Sequence, residues 1–322
     1  MLIMVPPAVG SEAAVLGIGA HRPARVVTND EVCEVLDSSD DWIVRRSGIR
    51  TRRRASAGET LAVMAQAAGE KALAAAGVTP AEVDLVLLAT MSRLEEGPPV
   101  AVDVARRLGA YGAAATDLSA ACAGFTHGIA LARSAVASGQ ARHVLVVGTE
   151  RMSDIVDPRD RGTAFLFGDG AGAMVVGPSA EPGIGPVSWG SDGAVAELIV
   201  RRGEDPFLRM RGQEVFRWAV THMPGVAQDA LDRAGVGVQD LAAFVPHQAN
   251  LRIVERIATR LRLPDSVVVA GDIMDMGNTS AASIPLAAER LLASGQVAAG
   301  GLALFVGFGA GLAHAAQVVQ LP

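Results

Sequence analysis

The sequence predicts an α/β protein that is built from two similar halves. Short, almost wholly apolar segments at 83–90 and 144–148 are typical of strands that are buried on both faces of a sheet. Between such segments lie helical stretches, of which the Ala-rich segment 60–76 ends at Gly77, a common helix stop. Strands that alternate with helices indicate mostly parallel sheets with helices on their faces.

The remaining elements follow from apolar spacing and from cap residues. In the first half we expect a strand at 14–19, a helix capped by Asn29 or Asp30 that runs to about Leu36, helices at 40–46, 98–108 and 125–137, and a short buried strand at 113–118. In the second half we expect a helix at 214–234 with a break near Pro224, helices at 250–261 and 281–293, and strands at 242–245, 267–270 and 302–306.

Three short motifs recur in the same order and predict a duplication. Ala-Ser-Gly-Gln stands at 137–140 and 293–296 (offset 156), Ala-Gly-Val at 76–78 and 234–236 (offset 158), and Gly-x-Gly-Ala-Gly at 168–172 and 307–311 (offset 139). The smaller third offset predicts an insertion at about 150–165. The offset of 156 makes Cys122 the counterpart of Asn278, and 158 places His247 opposite Ala89. We therefore expect an N-terminal half, 1–180, and a C-terminal half, 181–322.

Composition narrows the classes of function. A net charge of −6 argues against nucleic-acid binding, and no apolar run approaches the ~20 residues of a membrane span. The first nine residues do not resemble a secretory signal, and two cysteines provide no disulfide framework, so we expect a cytoplasmic protein. A run of six arginines within 45–54 fits a solvated face, a phosphate-bearing ligand or an acidic partner.

Three residues that follow predicted strands suggest chemistry. Cys122 lies among small residues between a strand and a helix, where the helix dipole or a cationic neighbour would favour a thiolate. His247 and Asn278 lie at the carboxyl ends of strands, where ligands of α/β sheets collect, and can donate hydrogen bonds to developing negative charge. Taken singly, each has a structural explanation: a buried cysteine, a core histidine and a helix cap. Together they predict a catalytic site.

Six segments resemble the β-ketoacyl-acyl-carrier-protein synthase III enzymes of the thiolase superfamily, in family order. They are SDDWIVRRSGIR at 39–50, SAACAGF at 119–125, DRGT at 160–163, FGDGAG at 167–172, VPHQANLRI at 245–253 and GNTSAASIP at 277–285. The tail 305–314 resembles actinobacterial members, including ketosynthases that prime aromatic polyketides. The resemblance implies a thiolase-like fold, a five-layer α-β-α-β-α sandwich.

The resemblance also implies a reaction and its residues. Cys122 would accept an acyl group from acyl-CoA, and malonyl-acyl-carrier-protein would then lose CO2 and attack the thioester. His247 and Asn278 would hydrogen-bond the enolate, and the backbone N–H groups of Cys122 and Gly309 would form the oxyanion hole. The family further implies CoA or substrate contacts at Trp42, Arg46, Arg161, Phe216 and Asn250, and carrier-protein docking at Arg217 and Arg252. It implies no metal or cofactor, and a homodimer whose interface lies near 98–108 and the strand before Cys122.

Two departures from the family pattern affect the substrate tunnel. The segment 192–216 is shorter than in several members, which puts the lid of the tunnel in doubt. Gly97 stands where many members carry an aromatic residue that limits acyl length, so a larger or branched starter is an open alternative. Fatty-acid and polyketide initiation both remain open.

Three other functions compete. An enzyme of the same fold could transfer the acyl group to an alcohol or amine without decarboxylation, although such enzymes tend to alter the residue at Asn278. A nicotinamide oxidoreductase is disfavoured because neither 168–172 nor 307–311 has the Gly-x-Gly-x-x-Gly spacing. A catalytically silent partner subunit would be expected to lose Cys122.

Overall fold

The computed structural model describes residues 12–94, 97–202 and 205–322. The described chain contains fourteen strands and nine α-helices, joined by turns and short 3₁₀ segments. The strands are β1 Glu12–His21, β2 Arg25–Thr28, β3 Thr51–Arg54, β4 Leu85–Ala89, β5 Ala114–Leu118, β6 Val144–Arg151, β7 Asp169–Ser179, β8 Ser188–Ser191, β9 Ile199–Val200, β10 Arg209–Met210, β11 Ala243–Pro246, β12 Val268–Val269, β13 Leu302–Phe308 and β14 Ala313–Gln320. The helices are α1 Asn29–Cys33, α2 Asp40–Ser47, α3 Leu61–Ala76, α4 Val100–Leu108, α5 Gly124–Ala137, α6 Gly212–Ala234, α7 Leu251–Leu261, α8 Ile273–Met276 and α9 Ser283–Ala293.

Two five-stranded sheets of the same topology form the core. Their strand orders are β5-β4-β6-β7-β1 and β12-β11-β13-β14-β8. In each sheet the first three strands run parallel and the last two pair antiparallel. The expectation of mostly parallel sheets was therefore wrong for half of the pairings. Only four residues join β13 to β14, which is too short for the crossover that a parallel pair needs.

The helices complete five layers. Helices α5 and α9 lie between the sheets, where α5 contacts β6 and β13 and α9 contacts β7 and β11. Helices α3 and α4 cover the outer face of the first sheet, and α6 covers that of the second together with its neighbour α7. The inner helices are buried on almost every side, as their composition of small and apolar residues requires.

The duplication is visible in the backbone. Gly77 and Gly235, 158 residues apart, both end a helix in the left-handed conformation with φ of 65°. The predicted insertion is confirmed, since 17 residues separate β6 from β7 while four separate β13 from β14.

The predicted equivalence of Cys122 and Asn278 is wrong by three residues. The turns before the inner helices share a rare left-handed residue, Ala121 (φ 46°) and Ser280 (φ 47°), which are 159 residues apart. By that register the counterpart of Cys122 is Ala281. The offset of 156 came from the helix ends, and α5 has 14 residues against 11 in α9.

Three local predictions also need correction. Thr28, instead of Asn29 or Asp30, caps α1 through its side chain. Helix α6 continues through Pro224, because buried residues on both sides of this proline pack with α7 against the second sheet. Strand β5 is the edge of its sheet and is partly exposed, although its sequence predicted a buried strand. None of the helices in the described ranges is long and apolar enough to cross a membrane.

Candidate active site

A cavity of about 490 Å³ is lined by residues of both halves, and Cys122, His247 and Asn278 are among them. Of the other predicted site residues, five line it as well: Arg46, Phe216, Arg217, Asn250 and Gly309. No described lining residue carries a carboxylate. The structure thus brings together three side chains that are 125 and 31 residues apart in sequence (247 − 122 and 278 − 247).

Cys122 is held in a 3₁₀ turn, Ala121–Ala123, that leads into α5. Its side chain is almost wholly buried, and burial raises the pKa of the thiol to about 12, with the nearby Ser280 hydroxyl lowering it and the Glu150 carboxylate raising it. The expectation of a favoured thiolate is therefore wrong, because burial is the largest effect on the pKa of the Cys122 thiol.

His247 follows β11 and is buried beside Ser283 of α9. Its Nδ1 lies 2.7 Å from the Ser283 hydroxyl, which also accepts the Gln248 N–H at 3.2 Å. Burial lowers the pKa of His247 to about 3, so the ring is neutral. A neutral ring cannot serve as the cationic neighbour that the sequence suggested for Cys122, but it can donate a hydrogen bond.

Asn278 is fixed through its backbone and its amide oxygen. Its N–H donates to the Leu166 carbonyl at 2.8 Å, its carbonyl accepts the Gly168 N–H at 3.0 Å, and its Oδ1 accepts the Ser280 N–H at 2.8 Å. The side-chain Nδ2 makes no hydrogen bond within the described parts of the chain. Since Asn278 lines the cavity, this amide group is the one left for a ligand.

Gly309 touches Cys122 but does not offer a free N–H. Its N–H donates to the Ala313 carbonyl at 2.9 Å, so the prediction of Gly309 as an oxyanion donor is not supported. The next residue, Ala310, lines the cavity. Apart from bonds within helices and strands, its N–H donates to no backbone carbonyl of the described residues. Gly309 itself is required for the close approach, since a Cβ there would lie 2.6 Å from the Cys122 nitrogen.

Sequence reasoning missed a buried carboxylate behind the nucleophile. Glu150, at the end of β6, accepts N–H bonds from Met91, Ser92 and Ala281, and hydroxyl bonds from Thr90 and Ser92. Burial raises the pKa of Glu150, against the opposing effect of the Ser92 hydroxyl. The available signal was an acidic residue that directly follows the apolar strand VLVVGT, where a buried charge needs a reason.

The mouth of the cavity is aromatic and basic. The guanidinium groups of Arg46 and Arg161 lie 5.3 and 5.2 Å from the Trp42 ring, and Phe165 packs edge-on against that ring at 5.1 Å. Trp42 and Arg161 border the cavity without lining it. Asn250 caps α7 by accepting the Arg252 N–H at 2.9 Å, and its amide donates to the Arg46 carbonyl at 3.2 Å.

The segment 192–216 forms part of the cavity wall through seven of its described residues. It contributes Ile199, Leu208, Met210, Gly212, Gln213, Val215 and Phe216. The Leu208 N–H fastens it by donating to the Ile155 carbonyl at 2.7 Å. Gly97 lies outside the lining of this single chain, and its neighbours Glu95 and Glu96 lie outside the described residues.

The two predicted docking arginines differ in their surroundings. Arg217 is exposed on α6 at the rim of the cavity. Arg252 is exposed at the start of α7, where its guanidinium donates to the Arg45 carbonyl at 3.1 Å and lies 3.4 Å from Glu255. No group of three or more His, Cys, Asp or Glu side chains among the described residues could hold a metal ion.

Comparisons with known proteins agree with this geometry. Residues 116–193 match the family model for 3-oxoacyl-[acyl-carrier-protein] synthase III, and residues 231–321 match that for its C-terminal part. A β-ketoacyl-[acyl-carrier-protein] synthase III of Streptomyces glaucescens is 52% identical over 330 residues, covering 99% of both chains. The chain belongs to the β-ketoacyl-acyl-carrier-protein synthase III family. As a member of this family it is a condensing acyltransferase.

Solved structures of synthase III relatives confirm the thiolase-like fold. The crystal structure of the priming β-ketosynthase from the R1128 polyketide biosynthetic pathway has a TM-score of 0.96 and 51% identity, covering 99% of this chain and 98% of that one. The synthase III of Aquifex aeolicus has a TM-score of 0.91 and 39% identity, covering 96% and 99%.

Proposed function

We propose that this synthase III takes an acyl group from acyl-CoA onto Cys122 and condenses it with malonyl-acyl-carrier-protein. The product is a 3-ketoacyl-carrier-protein, with release of CoA and CO2. The observation that carries the proposal is the meeting of Cys122, His247 and Asn278 in one cavity with no carboxylate in its described lining. Such a lining does not repel the malonyl carboxylate.

In the first step the Cys122 sulfur attacks the thioester carbonyl. The bond from carbon to the Cys122 sulfur forms, the bond to the CoA sulfur breaks, and the thiol proton ends on CoA. The N–H groups of Cys122 and Ala310 are the donors we assign to the oxyanion, because Gly309 donates to Ala313 instead. The high thiol pKa means that the proton leaves as the sulfur attacks, with little free thiolate beforehand.

In the second step the malonyl group loses CO2 and becomes an enolate. We assign the Nε2–H tautomer to His247, in which Nδ1 accepts the Ser283 hydroxyl proton, and Asn278 contributes its Nδ2–H. Both donate to the enolate oxygen in a water-poor site, where such bonds stabilise most. The enolate carbon then attacks the Cys122 thioester, and the released sulfur regains a proton from solvent.

The mouth and rim supply the substrate contacts in this proposal. Trp42 offers an aromatic face for the adenine of CoA, with Arg46 and Arg161 beside it for phosphate groups. Phe216 and Asn250 line the route toward Cys122. Arg217 and Arg252 give the rim positive charge for an acidic carrier protein.

We also propose a homodimer that forms through the edge of the first sheet. Among the described residues β5 pairs with β4 alone, and an unpaired edge readily accepts another strand. Nearby, Tyr111 is 82% exposed and Val102 on α4 is 45% exposed, which is unusual for such side chains. Sedimentation of the purified protein at twice the mass of 33.0 kDa supports this arrangement, and a monomer at micromolar concentration contradicts it.

The activity is tested with a panel of acyl-CoA starters, from acetyl to branched and longer chains, each supplied with malonyl-acyl-carrier-protein. We expect CO2 release and a 3-ketoacyl-carrier-protein for at least one starter. The panel also shows whether this protein, which carries Gly97, accepts a larger or branched starter. An acyl-enzyme that passes its acyl group to alcohols or amines, without CO2 release, would replace condensation by the alternative transfer reaction.

A further inference from the structure

Arg52 is a fully buried arginine without a carboxylate partner within the described residues. Its side chain is 0% exposed, and its guanidinium donates to the Asn29 amide oxygen at 2.6 Å and to the carbonyls of Phe165 (3.0 Å) and Val27 (3.3 Å). Burial lowers the pKa of Arg52 to about 10, with the charge of Arg54 next in importance, so the group stays protonated at neutral pH. A buried cation that rests on neutral acceptors is costly, which calls for a reason for its presence.

The Arg52 side chain supports the wall that holds Asn278. Its Cβ lies so close to two glycines that a Cβ on Gly277 would be 3.0 Å from it and one on Gly168 would be 3.3 Å from it. Gly168 and Leu166 are the backbone partners of Asn278, and Gly277 directly precedes it. Arg52 therefore contacts the residue before Asn278. It also contacts Phe165 and Gly168, which lie at the two ends of the segment that binds the Asn278 backbone.

The strand that carries Arg52 also holds the helix before Asn278. The Arg50 N–H donates to the Met274 carbonyl at 2.8 Å, and the Thr51 hydroxyl donates to the Asp275 carbonyl at 3.0 Å. Strand β3 and the residue before it are thus attached to α8, and Arg52 lies against Gly277, which follows that helix. None of these contacts involves Cys122 or Gly309.

A second connection leads from Arg52 to the mouth of the cavity. Asn29, which accepts from Arg52, donates its own amide to Asp40 at 2.7 Å, and Asp40 opens the helix that carries Trp42 and Arg46. Phe165, whose carbonyl accepts from Arg52, packs edge-on against Trp42. The Arg52 guanidinium therefore connects the mouth of the cavity with the backbone segment that holds Asn278.

We propose that Arg52 is a positioning residue for the decarboxylation step, acting by holding the Asn278 amide at its place in the cavity. The inference rests on the proposed function, in which Asn278 stabilises the enolate. Arg52 has no described contact with the Cys122 turn and reaches Trp42 only indirectly, through Asn29, Asp40 and Phe165. Its loss should therefore reduce the rate of decarboxylation more than the rate of acylation. A misplacement of about 1 Å in a positioned group can cost on the order of 10²-fold in rate.

The test measures the two half-reactions separately in Arg52→Lys and Arg52→Met. Each variant is first acylated to completion with acyl-CoA, freed of excess acyl-CoA, and then mixed with malonyl-acyl-carrier-protein. We expect full acylation in both variants and decarboxylation reduced on the order of tenfold in the Lys variant, which keeps the charge but has fewer donors, and more in the Met variant. Arg53→Met on the same strand is the matched control and should leave both rates unchanged. Within the described ranges the Arg53 guanidinium bonds to the carbonyls of Pro23 and Ala24 and to nothing else.

A double-mutant cycle distinguishes positioning from general destabilisation. If Arg52 acts through Asn278, then Arg52→Lys causes no further loss of decarboxylation in an Asn278→Ala background. A loss that multiplies with that of Asn278→Ala, or equal losses of acylation and decarboxylation, would overturn the proposal. If the Met variant does not fold, the Lys variant alone decides. Failure of the wild-type protein to form an acyl adduct would refute the proposed function instead.

Discussion

The two turns that precede the inner helices share a backbone but differ in their chemistry. Each places a non-glycine residue in the left-handed region, Ala121 and Ser280, and each leads into a helix between the sheets. In the first turn the next residue is Cys122. In the second it is Ala281, and the functional candidate Asn278 lies three positions earlier in the register of the turns. The duplication therefore supplied two turns with similar backbones. Their candidate catalytic residues, Cys122 and Asn278, differ in position as well as in residue type.

The residues that meet in the cavity are all buried and uncharged. Burial raises the pKa of Cys122 and lowers the pKa of His247, which keeps both neutral, and the amide of Asn278 carries no charge. A site of neutral donors suits an enolate that forms from a carboxylate, because fixed dipoles stabilise the new charge without attracting a counterion. In the proposed reaction, Cys122 thus carries the acyl group, and Asn278 acts only after the acyl group is in place.

The largest expected effect comes from removing the nucleophile. Cys122→Ala should abolish acylation, because no other described cysteine or serine lines the cavity. Intact-protein mass after mixing with acyl-CoA gives the measurement. Cys33→Ala is the matched control and should acylate like the wild type, since Cys33 lies outside the cavity lining. An acyl adduct that still forms in Cys122→Ala would show that the first turn does not supply the nucleophile, and the contrast between the two turns would be lost.

Removing the second candidate should affect only the later step. Asn278→Ala should slow decarboxylation on the order of 10²–10³-fold, as for other lost donors to a developing oxyanion. Acylation should stay within about twofold, because Asn278 is not among the donors assigned to that step. Rates of adduct formation and of CO2 release provide the comparison. Similar losses in both rates would show that the residues of the two turns act together in both steps.

The pH dependence provides a third test. A thiol pKa near 12 predicts that alkylation of unliganded Cys122 by iodoacetamide rises about tenfold per pH unit from 7 to 9, without a plateau. A His247 pKa near 3 predicts that decarboxylation by the pre-formed acyl-enzyme shows no inflection from this ring between pH 5 and 8. An alkylation plateau near neutral pH would instead indicate the activated thiolate that the sequence first suggested.

The smallest effect concerns the strained residue of the first turn. Ala121 occupies a conformation that glycine adopts more easily, so Ala121→Gly relieves strain while adding chain entropy to the unfolded state. We expect a net gain of about 1 kcal/mol or less in the free energy of unfolding, with acylation nearly unchanged. Thermal unfolding beside the equivalent Ser280→Gly variant gives the comparison. A clear loss of stability in both would mean that the two turns depend on their side chains.

Much of this site could be predicted from the sequence, because strand ends are readable and ligands collect there. The placement of Cys122 and His247 after strands anticipated their meeting in one cavity, whereas Asn278, which was also expected at the end of a strand, follows α8 instead. The duplication was also readable, since Gly77 and Gly235 mark equivalent helix ends. The three-residue error in matching Cys122 arose because counting from helix ends cannot reveal that one helix is shorter.

What the sequence could not supply depends on contacts between distant segments. The engagement of the Gly309 N–H by Ala313 follows from how the chain turns into β14, a strand that apolar spacing did not reveal. The shifts of the Cys122 and His247 pKa values follow from burial by both halves. Edge position made β5 exposed despite its composition, because pairing partners are a property of the sheet and not of the strand.

Peptide mapping of the acylated protein tests the central claim most directly. The wild type is mixed with a starter acyl-CoA, quenched, digested and analysed by mass spectrometry before any malonyl substrate is added. We expect one acyl group per chain, held as a thioester on the peptide that contains Cys122. An acyl group on any other residue, or no adduct with any starter of the panel, would contradict it.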